Sequence, residues 1–231
     1  MKKFGIVLVL LAFCVPAFAS SETELEKSAS VLNEIMMTQD RGIPQDLLSR
    51  AVCVGIIPSE LKAAFIFGGN YGHGVLVCRQ GGTGQWGAPS MFHLGGASIG
   101  FQIGGKATDV VFLVMNPDGV KKLVQDNVKL GGDIAVAAGP VGRSAEAATD
   151  AELHAEILSY SRSRGLFAGV SLQGAVFRQD RDGNAKLYGR PVTAKEILVD
   201  GTVPPPPAAR PLDRTLAKYS PTGGQPLRAA Y

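Results

Sequence analysis

Apolar residues recur at helical spacing in the first part of the chain. Between residues 21 and 40 they alternate spacings of four and three, at Leu25, Ala29, Leu32 and Met36, with Ile35 beside them. This periodicity predicts a helix with one narrow apolar stripe. The charged residues around the stripe are mostly acidic, and Gly42 predicts its end. Pro44 predicts the start of a short second helix through residues 45–51.

Residues 51–115 predict β-structure. This stretch holds 14 of the 29 glycines and only five charged side chains. Residues 98–104 alternate apolar with small or polar positions, as in a half-buried strand, whereas residues 110–115 are apolar on both faces and predict a strand covered on both sides. The predicted strands are 52–57, 63–68, 74–79, 98–104 and 109–115.

The following segment alternates short helices with strands. Asn116 and Pro117 predict a helix start, and residues 134–138 predict a strand. Residues 166–178 alternate again, Asp182-Gly183 predicts a hairpin turn, and residues 185–188 predict the returning strand. A helix over 194–199 closes the body. Residues 202–231 open with four prolines after Val203 and predict a disordered or polyproline-II tail that is removable without loss of folding.

The chain begins like an export signal. Lys2 and Lys3 precede an apolar run, and Ala17-Phe18-Ala19 matches a cleavage site, which predicts a soluble exported protein, periplasmic or secreted, starting at Ser20. A lipoprotein with Cys14 lipidated is the alternative, disfavoured by Phe13 before the cysteine. The run is too short to cross a bilayer. Cys53 and Cys78 remain after cleavage, and the sequence leaves open whether they pair.

Composition and charge exclude some functions. The chain is 45% hydrophobic and 19% charged, which predicts a folded protein. Its formal charge of +3 comes from the two ends, so residues 20–201 are near neutral. Nucleic-acid binding is not expected, because no basic stripe is present and only 7% of residues are aromatic.

The chemical motifs are weak. Asp180, Asp182 and Asn184 resemble the start of a calcium loop, but the glycine falls two positions early. The glycine-rich run at 68–74 does not open a helix, so we interpret it as a β-connection and not as a phosphate loop. The three histidines, His73, His93 and His154, are far apart in sequence without a carboxylate at ligand spacing. No catalytic residue, metal site or cofactor is predicted.

Six runs in order resemble one family. They are Gly55-Ile56-Ile57-Pro58, the run 68–75, Trp86-Gly87-Ala88-Pro89, the run 98–104, the run 138–143 and the run 160–172. Together they resemble the SYLF lipid-binding domain family over residues 24–200. The resemblance implies an α+β fold, a compact antiparallel barrel-like β-sheet with N-terminal and peripheral helices. It also implies membrane association without known catalytic activity, and for exported members a stand-alone domain.

The predicted organisation is a signal peptide at 1–19, a SYLF-like domain at 20–201 and the tail at 202–231. Within the domain, residues 20–50 are helical and 51–201 are β-rich. Eukaryotic relatives use a basic N-terminal helix on phosphoinositide membranes, often beside an SH3 domain and with actin partners. The matching stretch here, residues 22–40, is acidic, so phosphoinositide binding by it is not expected.

Lipid or fatty-acyl contact is expected instead through apolar side chains of the helix or through the interior of the barrel, with arginines facing head groups. The predicted lipid-binding residues are Leu25, Leu32, Ile35, Met36, Arg143, Arg162 and Arg164. The sequence therefore predicts a non-enzymatic lipid-binding protein of the bacterial cell envelope. Two alternatives stay open: an envelope module that binds a protein partner through its C-terminal tail, and a hydrolase built on a histidine–carboxylate pair.

Overall fold

The computed structural model describes residues 21–37, 42–58, 70–96, 108–141, 154–163 and 166–221. The predicted strands at 63–68 and 98–104 lie outside these residues, as does the predicted signal peptide. The described residues form a curled, mostly antiparallel half-barrel sheet with helices packed on it. The predicted α+β fold class is confirmed.

Nine strands of the described residues form one sheet. In chain order they are β1 (Cys53–Ile57), β2 (Asn70–Arg79), β3 (Trp86–Gly96), β4 (Asp109–Val114), β5 (Val128–Lys129), β6 (Val136–Ala138), β7 (Ile157–Ser163), β8 (Leu166–Gly169) and β9 (Val176–Gln179). Their spatial order is β5-β9-β3-β2-β1-β4-β7-β6, and β8 also pairs with β7. The pair β6–β7 is parallel and the other pairs are antiparallel.

Six α-helices surround the sheet in the described part of the chain. They are α1 (Ser21–Met37), α2 (Gln45–Arg50), α3 (Pro117–Leu123), α4 (Arg181–Tyr188), α5 (Ala194–Leu198) and α6 (Arg210–Tyr219). The predicted start of α3 is confirmed, because the Asn116 side chain accepts a hydrogen bond from the N–H of Gly119 and Pro117 occupies the first turn. The predicted closing helix is confirmed as α5.

The sheet has a hydrophobic core on each face. One core contains the buried side chains of α1 and α6, and the other contains those of α3 and the rings of Phe92, Phe112 and Phe177. Every residue of β1 and β4 is buried, as the apolar run at 110–115 predicts. A Cβ at Gly55 would overlap the ring of Phe112, so only glycine allows this ring to cross β1.

Cys53 and Cys78 form a disulfide that joins β1 to β2. The two residues are direct partners in the antiparallel register, with their Cα atoms 4.0 Å apart. Both side chains are buried in the core that contains the three phenylalanines. The pairing that the sequence left open is therefore present in the structure.

The predicted hairpin at 182–188 is wrong, because these residues form helix α4. The Asp180 side chain accepts a hydrogen bond from the N–H of Gly183 and caps the helix, and Gly189 ends it with a left-handed backbone, φ 68°. The Asp-Gly pair that typically marks a hairpin turn instead lies in the first turn of the helix. Local capping and packing on β3 decide between the two structures.

The predicted disordered tail is also wrong over residues 210–219, which form the amphipathic helix α6. Leu212 and Leu216 are fully buried in the core that also holds the stripe of α1. The proline-rich run does not prevent this, since Pro211 lies in the first turn, where the missing N–H costs nothing.

A buried arginine holds the end of α6 against the sheet. Arg79 at the end of β2 donates hydrogen bonds to the carbonyl oxygens of Ala51 and Gly84, and to the carbonyl and hydroxyl oxygens of Ser220. Its guanidinium lies 3.9 Å from the ring centroid of Trp86, whose indole N–H also donates to Ser220. Burial lowers the pKa of Arg79 to about 10. These neutral acceptors and the aromatic face replace the water that the cation loses.

We expect Leu216→Ala to lower the free energy of unfolding by about 2–5 kcal/mol, because it removes a fully buried leucine side chain. Thermal unfolding should show a loss of roughly 5–15 °C in Tm. Arg214→Ala, at an exposed position of the same helix, is the matched control and should change Tm by about 2 °C or less. Equal Tm values for wild type and Leu216→Ala would contradict the packing of α6.

Asp213 is the one titratable group on α6 with a raised pKa. Burial raises the pKa of Asp213 to about 6, and its Oδ1 atom has no hydrogen-bond partner among the described residues. Tyr188 of α4 lies close enough that the Asp213 charge adds to burial in raising the Tyr188 pKa. The unfolded carboxyl group has a pKa near 4. The free energy of unfolding therefore falls as the pH rises from about 4 through about 6, because the folded state holds the proton more tightly.

We therefore expect Asp213→Asn to stabilise the protein above pH 6 and to have little effect at pH 4. The gain at pH 7.5 should be about 1–3 kcal/mol, since it removes the cost of ionising a buried carboxyl group. Denaturant unfolding at both pH values measures it. Asp182→Asn, the same change at an exposed position, is the matched control and should alter the free energy of unfolding by about 0.5 kcal/mol or less. If Asp213→Asn changed the free energy of unfolding equally at both pH values, ionisation of Asp213 would have no effect on stability.

Candidate functional site

The apolar stripe predicted to face a membrane lies inside the protein. Leu25, Leu32 and Ile35 are buried in the same core as Leu212 and Leu216 of α6. Met36 is only partly buried and packs against this core. Three of the four helix side chains that the sequence predicts to bind lipid are therefore core residues, and lipid contact through them stays a prediction. Helix α6 covers the stripe, which a view of α1 alone could not show.

The structure exposes a different apolar side chain on α1. Met37, the last residue of the helix, is 65% exposed. Leu166, the first residue of β8, is 72% exposed, and Val199 after α5 is 45% exposed. These three are the large apolar side chains that the described part of the chain presents to solvent. The helical spacing of apolar residues predicts Met36 as a lipid-binding residue instead. Such spacing identifies the side chains that a helix buries, and not those that it exposes.

Arg162 is held by carboxylates of its own chain. Its Nε and one terminal nitrogen donate to Oδ2 of Asp109 at 2.9 and 2.7 Å, and its other terminal nitrogen pairs with Glu34 of α1. Burial acts to lower the pKa of Arg162, but the hydrogen bonds and charges of Glu34 and Asp109 outweigh it and raise the pKa. Arg143 and Arg164 lie outside the described residues.

The Glu34–Arg162 ion pair shows where the exposed Met37 and Leu166 lie in the fold. Met37 is one helical turn after Glu34, and Leu166 pairs with Ser163, the neighbour of Arg162. The last turn of α1 and the β7–β8 hairpin therefore meet at one end of the sheet. We call this the hairpin end, defined by Met37 and Leu166 with the ion pair of Glu34 and Arg162 between their elements.

Other strands confirm the position of the hairpin end. Asp109 at the start of β4 pairs with Arg162, and Ile57 at the end of β1 pairs with Val110. Strand β2 begins and strand β3 ends at this same end, where Asn70 pairs with Gly96. Val199 lies elsewhere, since α5 packs beside Ala88 near the opposite end of β3. The exposed apolar groups are thus divided between two separate parts of the surface.

A second group of polar side chains lies on β2, β3 and the end of β9. His73 and His93 are direct cross-strand partners, with ring centroids 4.5 Å apart. Nε2 of His93 lies 3.3 Å from Oδ2 of Asp180. Burial acts to raise the pKa of Asp180, but hydrogen bonds from His93 and the Gly183 N–H and the nearby His73 hold it below its usual value. Two histidines that are far apart in the sequence are therefore direct neighbours in the sheet.

No helix in the described part of the chain combines the length and the apolar character needed to span a membrane.

A family model described as "Ysc84: Las17-binding protein actin regulator" matches residues 95–219. The match extends through α6 and so passes the predicted domain limit at residue 201. It therefore includes the helix that the sequence predicted as a disordered tail.

Curated relatives match most of the chain. LAS seventeen-binding protein 3 of Saccharomyces cerevisiae is 41% identical over 221 residues, which are 90% of this chain and 48% of the relative. Protein YSC84 of the same yeast is 41% identical over 87% of this chain and 44% of its own length. The human SH3 domain-containing YSC84-like protein 1 is 32% identical over 89% of this chain and 61% of its own length. The chain thus spans about half the length of the yeast relatives.

These relatives overturn the predicted localisation. They are yeast and mammalian proteins, and their names describe Las17 binding and SH3 domains, not export or a cell envelope. The prediction of an exported, periplasmic or secreted envelope protein is therefore wrong, and the export signal assigned to residues 1–19 is corrected with it. An envelope partner for the tail has no support either. None of these names describes an enzyme.

The resemblance inferred from six short runs agrees with the family model, which matches more than half of the chain, and with the relatives. The chain belongs to the Ysc84 family, the family of the SYLF domain.

Proposed function

We propose that this protein is a non-enzymatic module that binds lipid membranes through the hairpin end. The observation that carries the proposal is the exposure of Met37 and Leu166, 65% and 72%, on two elements that meet at one end of the sheet. Large apolar side chains that share one part of a surface can enter the same lipid interface. The family resemblance, which implies association with membrane lipids, supports this choice of ligand.

Apolar burial supplies the attraction in this proposal. Transfer of a large apolar side chain out of water contributes about 1.5–3 kcal/mol when it is fully buried. Glu34 at the hairpin end, together with Glu22 and Glu26 on the same helix, disfavours approach to anionic lipid. Arg162 does not offset this repulsion, because Asp109 and Glu34 already engage its guanidinium.

The proposal predicts binding that persists at high salt. The wild-type protein should co-sediment with phosphatidylcholine vesicles equally well at 0.1 M and 1 M salt, since screening weakens charge attraction but leaves apolar burial intact. Leu166→Glu and Met37→Glu should each weaken vesicle binding about tenfold or more, as expected for the loss of one buried apolar group.

Val199→Glu is the matched control, because it makes the same change at an exposed apolar residue away from the hairpin end. It should bind vesicles within about twofold of wild type. Binding that requires anionic lipid and disappears at 1 M salt would contradict the apolar mechanism. Equal losses in Leu166→Glu and Val199→Glu would show that the hairpin end is not the site.

A protein-binding function is the second candidate, favoured by the matches to relatives named for Las17 binding and to a family described as an actin regulator. The chain covers about half of those yeast proteins, so the part it matches need not be the part that binds Las17. Co-sedimentation of this chain with actin filaments in the absence of lipid tests whether the SYLF domain itself contacts the cytoskeleton. Filament binding without vesicle binding would favour this second function.

A further inference from the structure

The sheet brings together three metal-ligating side chains that are far apart in the sequence. His73 on β2 pairs with His93 on β3. Asp180 follows β9, the next strand beyond β3, and its N–H donates to the carbonyl oxygen of Met91 at 2.9 Å. Two imidazoles and one carboxylate therefore meet where three adjacent strands lie side by side. This group is separate from the hairpin end and plays no part in the proposed lipid contact.

The spacing of the three groups suits one metal ion. One ligand atom of each side chain lies within 4.8 Å of the other two. Tetrahedral zinc, with bonds of about 2.0–2.1 Å to nitrogen and oxygen, places its ligand atoms about 3.3 Å apart. Nε2 of His93 and Oδ2 of Asp180 already lie 3.3 Å apart. The part-exposed His73 side chain offers the third ligand atom.

A hydrogen bond to Oδ1 orients the Asp180 carboxylate so that Oδ2 is left to bind the ion. Oδ1 of Asp180 accepts the N–H of Gly183 at 2.8 Å in the cap of α4, while Oδ2 faces His93. A hydrogen bond to the non-ligating oxygen of a carboxylate holds the ligating one in place, as partners of metal ligands commonly do. All three side chains keep some contact with solvent, so an ion can enter and a water molecule can complete its coordination.

We propose that His73, His93 and Asp180 bind one Zn²⁺ ion, with water as the fourth ligand. Two imidazoles and a carboxylate are a donor set that zinc accepts readily, and three protein ligands leave one position open. The ion would tie β2, β3 and the start of α4 together through side chains, in addition to the backbone hydrogen bonds of the strands. Arg178 is exposed and lies opposite His93 in the register, where its charge opposes a cation.

The test is calorimetric titration of the full chain, without a histidine tag, with ZnCl₂. One equivalent of zinc should bind per chain and raise Tm. His73→Gln and His93→Gln should each weaken zinc binding at least tenfold and abolish the rise in Tm. His154→Gln, at the exposed histidine outside the cluster, is the matched control and should bind zinc like wild type.

Arg178→Gln provides a second variant that does not touch a ligand. It should tighten zinc binding several-fold, because it removes a positive charge beside the ion. Circular dichroism of each variant without metal shows whether it folds. Absence of zinc binding by the wild-type protein at 0.1 mM, or equal affinity in wild type and His93→Gln, would overturn the proposal. These titrations contain no lipid, so their outcome is independent of the vesicle experiments.

Discussion

The rest of the structure depends on the closure of one face of the curled sheet by α1 and α6. Both helices place leucines in the same core, and a sheet curled into a half-barrel leaves this apolar face open to water without them. Arg79 and Trp86 bind Ser220 and so fix the end of α6 against the β2–β3 hairpin. The two ends of the described chain are thus parts of one core, and the family match includes α6.

This closure also determines which apolar side chains remain exposed on the protein surface. Because α6 covers the stripe of α1, the large apolar side chains that the described residues expose to solvent are those that the core does not use. The Glu34–Arg162 pair then places Met37 beside the hairpin that carries Leu166. The relatives share most of this domain but extend well beyond it, so the Las17 binding and the SH3 domain in their names describe those longer proteins as a whole.

Elements whose structure follows from local chemistry were predictable. The apolar run of β4 predicted burial on both faces, and Asn116 with Pro117 predicted the start of α3. Strand β3 was missed, because Gly87, Pro89 and Gly95 interrupt its alternation. Pro89 is tolerated where the pairing with β2 shifts register between Val77 and Arg79. The sequence predicts a hairpin in place of helix α4, because an Asp-Gly pair fits either a tight turn or a first helical turn.

The sequence by itself determined the fold class, the family and the periodicities that commit each segment to helix or strand, because these depend on neighbours along the chain. Only the tertiary structure decided which groups meet across it. Strand register joined Cys53 to Cys78 and His73 to His93, and the packing of α6 buried most of the apolar stripe of α1. Local patterns specify which face of an element is apolar, whereas the partner that covers that face depends on how distant elements pack.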